Sequence, residues 1–223
     1  MLIEKANKGL HDYLEDLLKD KLSVQTKILD VGAGSGAFIN RITKYGGIYS
    51  AIEINKDAFE LNNVKLYPLD LNNNFANDIN EKFDLIICIE VIEHIENPRH
   101  FIRQLTQLLD DNGNILITTP NVENIPARLK FLLKGNIRGF EWFLTKDSSH
   151  HESQHISPIF TSLFFRILED NDLFVESYYH FPSKGYLNSA TFIQILTRVL
   201  SPVLKGYKFG ENHIFMIKSK KNK

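Results

Sequence analysis

A single cysteine, Cys88, is present, which excludes an internal disulfide and any Cys-x-x-Cys zinc pair. It lies in Leu85-Ile86-Ile87-Cys88-Ile89, so we expect a small buried hydrophobe and not a nucleophile. No apolar run reaches the roughly 18 residues of a membrane span, and Met1-Leu2-Ile3-Glu4-Lys5 lacks an apolar signal core. We therefore expect a cytoplasmic protein with no transmembrane segment. Neither sign of charge dominates, with 26 Lys and Arg against 27 Asp and Glu. Without a global basic field, no nucleic-acid partner is expected. The chain of 223 residues suits one α/β core with an insertion or two, and is short for two independent domains. We expect residues 1–223 to form one unit.

Strands and helices alternate through the first half. Leu10, Tyr13, Leu14, Leu17 and Leu18 fall on one face of a helix over 8–20. Residues 27–31, 48–53, 64–67, 83–89 and 114–119 read as strands. Helices are expected at 36–45, 55–61 and 97–110, the last stopped by Asn112-Gly113. Such alternation predicts a parallel sheet covered on both faces, with its functional groups at the carboxyl ends of the strands. The second half is less regular. Residues 121–152, with Pro126, Gly135 and Gly139, look like a lid or substrate region. A helix over 158–170 and strands over 173–181 and 213–218 follow, with an apolar helix near 187–204 between the strands. That helix suits a lid, a lipid-carrier contact or a homodimer contact, although burial against the chain's own core is the default.

The strongest local signal is Asp30-Val31-Gly32-Ala33-Gly34-Ser35-Gly36, which follows a strand and opens a helix. Glycines let a backbone turn sharply and approach a ligand closely. Gly32-x-Gly34-x-x-Ala37 also fits a dinucleotide loop, so an NAD(P)-dependent oxidoreductase is a competing reading. Glu53, at the end of the second strand, can accept both hydroxyls of a ribose. Asp70, just past the third strand, can accept from an adenine amino group. The fourth strand then runs into Glu90-Val91-Ile92-Glu93-His94. An acidic cleft mouth suits a cationic ligand and repels a pyrophosphate.

This series, from the glycine loop through acids after strands two and three to F-D-L-I-x-x-x-E-V-x-E-H, resembles the class I S-adenosylmethionine-dependent methyltransferase superfamily. Within it, the chain is similar to ubiquinone-pathway O-methyltransferases and to uncharacterised bacterial enzymes. The resemblance covers 27–119 in register. It implies a Rossmann-like seven-stranded, mostly parallel sheet of order 3-2-1-4-5-7-6. It also implies S-adenosylmethionine as cofactor and S-adenosylhomocysteine as product. By that likeness Gly32 and Gly34 line the methionine part, Glu53 the ribose, and Asp70 with Leu71 the adenine, while Asp30 holds the loop and the cofactor's amino group. Ala33, Ile54, Ile89 and Glu90 are placed at the cofactor as well.

Methyl transfer needs an acceptor held in line with the sulfonium, and a hydroxyl acceptor must lose its proton, for which histidine is the natural base. The histidines weighed are His94, His150, His151 and His155, and we place the catalytic role on His94 and His155. Glu90 and His94 would share a face if their loop were helical. With Glu93 they could hold a divalent ion, as a similar pattern does in small-RNA 2′-O-methyltransferases. We favour positioning plus a histidine base and no tightly bound metal. The expected acceptor is a small molecule carrying a hydroxyl, with a sugar or lipid-linked glycan suggested by a weaker likeness of 119–135 to enzymes of cell-surface glycan pathways. Phe140, Trp142 and Phe143 are candidates to stack on it. A metal-assisted RNA enzyme and a non-catalytic cofactor-binding protein stand as further alternatives.

Overall fold

The computed structural model describes residues 2–137, 139–140, 155–182, 199–200, 202–207 and 209–220. Seven strands lie in one sheet of order β3-β2-β1-β4-β5-β7-β6. They are β1 (Lys27–Val31), β2 (Ile48–Ile52), β3 (Lys65–Tyr67), β4 (Phe83–Ile89), β5 (Leu109–Pro120), β6 (Leu173–Phe181) and β7 (Asn212–Ser219). The first five pair in parallel, and β7 runs antiparallel between β5 and β6. This is the order that the resemblance implies.

Both faces are covered. Helices α1 (Leu10–Leu18) and α2 (Ala37–Ile42) bury Leu10, Leu14, Leu18, Phe38 and Ile42 against Ile28, Ile87 and Leu116 of the sheet. On the other face, α3 (Pro98–Leu108) and α5 (Thr161–Glu169) bury Phe101, Ile102, Leu105 and Phe164 against Leu29, Cys88, Ile117 and Phe215. Successive strand residues point to opposite faces, so Ile28 serves one layer and Leu29 the other. Helix α3 starts where its sequence says it should. Asn97 accepts the His100 amide at 3.0 Å through its side chain, and Pro98 takes the first helical position, where its missing N–H costs nothing. Each large side chain fully buried from this helix contributes about 1.5–3 kcal/mol.

Three elements differ from the sequence expectation. Residues 55–61 form only a 3-10 turn over Lys56–Ala58, capped by Asn55. Too few apolar residues recur there to cover a helix face. Strand β5 begins at Leu109, five residues early, with a register shift against β4, so Asn112-Gly113 lies within a strand and does not follow a helix. The expected lid contains a regular helix, α4 (Ile125–Lys134), capped by Asn124 through its bond from the Ala127 amide and closed by Gly135 at φ 69°. The expected apolar helix near 187–204 lies largely outside the described residues, as do His150, His151, Trp142 and Phe143.

Candidate functional site

A cleft of about 1130 Å³ opens at the carboxyl ends of β1–β5 and includes in its lining all twelve residues that the sequence nominates. At one end is the glycine loop. The amides of Gly32 and Ala33 both donate to the Ile52 carbonyl, at 2.8 and 3.0 Å. The Gly34 amide donates to Glu53 Oε2 at 2.8 Å, and Glu53 Oε1 accepts from the Asn55 amide at 3.0 Å. Glu53 thus ties the loop after β1 to the turn after β2. Gly32 has φ 73°, and a Cβ there would stand 2.7 Å from a Val91 methyl. The loop therefore packs closely on the turn after β4, and only glycine fits.

Asp30 is 3% exposed, and its carboxylate takes no hydrogen bond among the described residues. Burial, with a smaller push from Glu53, raises its pKa to about 7. The direct hydrogen bonds to the loop come from Ile52 and Glu53. Asp70 binds the Asn72 amide at 2.9 Å and the Asn73 side chain at 3.1 Å, closing its own turn at the cleft wall. Ile54, Leu71 and Ile89 line the same space.

At the other end the strands β4, β5 and β7 bring together groups that are distant in sequence. Glu90 stands at φ 54°, a left-handed conformation that costs a non-glycine residue of order 1 kcal/mol. Its Oε1 accepts from Thr118 Oγ1 at 2.7 Å, its Oε2 accepts from Asn212 Nδ2 at 2.6 Å, and its amide donates to Thr118 Oγ1 at 3.0 Å. Burial lifts its pKa to about 7, against the lowering by those two donors. Residues 92–94 form a 3-10 turn, so the helical spacing considered for Glu90 and His94 does not arise. Glu93 is fully buried. Its Oε2 accepts from Thr119 at 3.2 Å, and its Oε1 has no partner among the described residues. Burial first, then Glu90, moves its pKa well above the carboxylate range.

The two nominated histidines meet. The rings of His94 and His155 cross edge to face at 4.8 Å, and Phe140 lies 5.1 Å from His155. His155 Nδ1 is buried without a partner among the described residues. Burial, then the neighbouring His94, lowers its pKa to about 4, so at neutral pH it is an uncharged imidazole. Backbone bonds fix this approach: the amides of Ile156 and Ser157 both donate to the Glu93 carbonyl at 2.9 Å. One ligand atom each from Glu93, His94 and His155 lie within 4.8 Å of one another, so among the described residues these three could hold a divalent ion.

Sequence reasoning missed Asn7, Thr118, Thr119 and Asn212. Segment 2–9 also lines the cleft through Ile3, Lys5, Ala6 and Asn7, and Ile3 exchanges two bonds with Ser35 of the glycine loop, at 3.0 and 3.1 Å. None of these positions carries a local motif.

The profile of a family described as "Methyltransferase domain" matches residues 2–177. A ubiquinone biosynthesis O-methyltransferase from Rickettsia typhi is 29% identical over 153 residues, covering 66% of this chain and 59% of that protein. One from Coxiella burnetii is 25% identical over 138 residues, covering 59% and 57%. The chain thus spans somewhat less than three-fifths of the length of these relatives. An S-adenosylmethionine-dependent methyltransferase from Clostridium acetobutylicum superposes with a TM-score of 0.62 at 16% identity, over 97% of this chain and 93% of that one. Magnesium protoporphyrin IX methyltransferase from Synechocystis, with bound S-adenosylhomocysteine, superposes at 0.58 and 15% identity, over 94% and 82%. At such identities the likeness concerns the fold.

Proposed function

The chain belongs to the methyltransferase-domain family, and from that premise we propose that it transfers a methyl group from S-adenosylmethionine to a hydroxyl oxygen of a small molecule. The observation that carries the reading is one cleft with two chemically different ends: a glycine loop beside an unpaired buried carboxylate, and a pair of histidines in contact.

The first end fits a cationic nucleoside. When bound, S-adenosylmethionine supplies an electrophilic methyl group on a sulfonium, open to in-line displacement. Asp30 offers a charge to the amino group, a partner that also offsets the cost of burying its own carboxylate. Glu53 faces the ribose, Asp70 and Leu71 the adenine, and Gly32, Ala33 and Gly34 let the backbone come close. Ile54 and Ile89 complete this wall, and Glu90 meets the cofactor from the other end of the cleft. The acceptor stands at the other end, where His94 takes the hydroxyl proton. His155, uncharged and packed on His94, orients that ring and keeps water from it.

A second reading rests on the Glu93, His94 and His155 cluster. A divalent ion held there would polarise the acceptor hydroxyl, and the uncharged His155 would suit it as a ligand. The relatives' names, ubiquinone biosynthesis O-methyltransferases, favour a hydroxyl on a quinone-related small molecule, and a hydroxyl of a sugar or lipid-linked glycan is the alternative within the same reading.

The test is a thermal-shift titration with S-adenosylhomocysteine and NAD, followed by radiolabelled methyl transfer to panels of phenols and sugars. Stabilisation by the first ligand and label on a hydroxyl are expected. Stabilisation by NAD alone would sink the reading. Activity that survives exhaustive chelation favours the histidine base, and loss restored by magnesium or manganese favours the metal.

A further inference from the structure

The N-terminal segment is fastened to the far side of the cleft by two asparagines. Asn7 Nδ2 donates to Asn212 Oδ1 at 2.7 Å, and Asn212 Nδ2 donates to Glu90 Oε2 at 2.6 Å. Asn212 is fully buried at the start of β7, where it pairs with Pro120 on one side and Phe181 on the other. Its backbone cannot move without disturbing the sheet. Its side chain is the amide link between an exposed segment and a half-buried acid in the cleft.

The chemistry of the link is directional. Glu90 accepts one bond on each oxygen, from Thr118 and from Asn212, so its carboxylate has little rotational freedom. An asparagine suits the middle position because it donates and accepts at once. Leucine would do neither, and aspartate would face Glu90 with a second acceptor. Segment 2–9 has another anchor at the opposite end, where Ile3 exchanges bonds with Ser35 and Glu4 pairs with Arg41 at 2.6 Å. The segment therefore crosses the cleft from the glycine loop to Glu90.

We infer that Asn212 is a positioning residue, which aims the Glu90 carboxylate into the cleft and couples that aim to the seating of segment 2–9 through Asn7. The inference rests on the methyl-transfer reading for the purpose of Glu90, and on geometry alone for the coupling. Laying down the segment over the cofactor and orienting Glu90 are then one event. An enzyme with the segment lifted has its acid unaimed.

The test uses the full chain and two readouts, amide hydrogen exchange of residues 2–9 and steady-state kinetics. In the protein without ligand, Asn7→Ala should raise exchange across 2–9 by tenfold or more, with little change elsewhere. Asn212→Asp keeps an acceptor for Asn7 but repels Glu90. It should lower kcat by tenfold or more, with a smaller change in KM for S-adenosylmethionine. Combining Asn212→Asp with Glu90→Gln restores a hydrogen bond with donor and acceptor exchanged. This double variant should recover the melting temperature and the protection of 2–9 that Asn212→Asp loses, although the charge on Glu90 is gone. Wild-type exchange in Asn7→Ala would overturn the coupling, as would a double variant no better protected than Asn212→Asp. Wild-type kcat in Asn212→Asp would overturn the positioning role. The exchange arms need no cofactor, so they decide the coupling even if the methyl-transfer reading fails. That failure would show itself as no binding of S-adenosylhomocysteine by the wild type.

Discussion

The two ends of the cleft are built in different ways. The cofactor end is assembled from neighbours in sequence: the loop after β1 and the turn after β2 meet through a bond between Gly34 and Glu53, 19 residues apart. The acceptor end is assembled across the chain: Asn212 reaches Glu90 over 122 residues, and the segment at His155–Ser157 is tied to Glu93 through its backbone. The first end is a motif and the second is a consequence of topology. Placing β7 antiparallel beside β5 brings Asn212 to Glu90. Damage at the first end should therefore show in cofactor affinity, and damage at the second in turnover.

The largest effect is expected where the ends should separate most cleanly. Replacing both His94 and His155 by alanine should cut turnover by about 10²–10⁴-fold, with affinity for S-adenosylhomocysteine unchanged within twofold by calorimetry. A parallel loss of affinity would erase the division between the ends.

Next comes a pH dependence at Asp30. Its pKa in the fold, about 7, lies above the ordinary 3.8, so the protonated form is favoured by folding. That contribution to stability is complete below about pH 4 and is lost as pH rises through 7. Binding of a ligand ammonium has the opposite sign, because it needs the carboxylate. Affinity for S-adenosylhomocysteine should rise about tenfold between pH 6 and 8, and Asp30→Asn should flatten the rise. A slope that persists in this variant would locate the titration elsewhere, with Glu90 the next group to test.

A more moderate loss is expected at Glu53. Glu53→Ala should weaken binding by about 1–3 kcal/mol and leave kcat at saturating cofactor nearly intact. The smallest effect falls on Asp70. Its carboxylate closes its own turn, so Asp70→Asn, which keeps an acceptor oxygen, should cost less than about 1 kcal/mol in the same titration. A larger loss there would show that adenine recognition depends on charge.

The same contrast explains how much of the molecule is legible in its sequence. The apolar runs at Lys27–Val31 and Phe83–Ile89 are buried on both faces, so they identify themselves as strands and lead directly to the glycine loop and to Glu90. Residues 55–61 mislead because polar turn residues there resemble a short helix. The early start of β5 is hidden because Asp110-Asp111-Asn112-Gly113 is turn-like in composition, and only pairing with β4 makes it a strand. Asn7 and Asn212 give no signal, since an isolated asparagine becomes informative only when the topology has placed an acid beside it. The left-handed conformation of Glu90 is equally silent, being imposed by the turn that follows β4 and not by its own side chain.

The contact between Phe140 and His155 has a consequence for the residue beside it. Gly139 stands at φ 84°, and a Cβ there would meet His155 Nδ1 at 3.0 Å. A larger residue at 139 would strain its own backbone and press on the imidazole. Position 139 is therefore one through which neither evolution nor design can reshape the acceptor end, because a side chain added there displaces the ring before it reaches the acceptor.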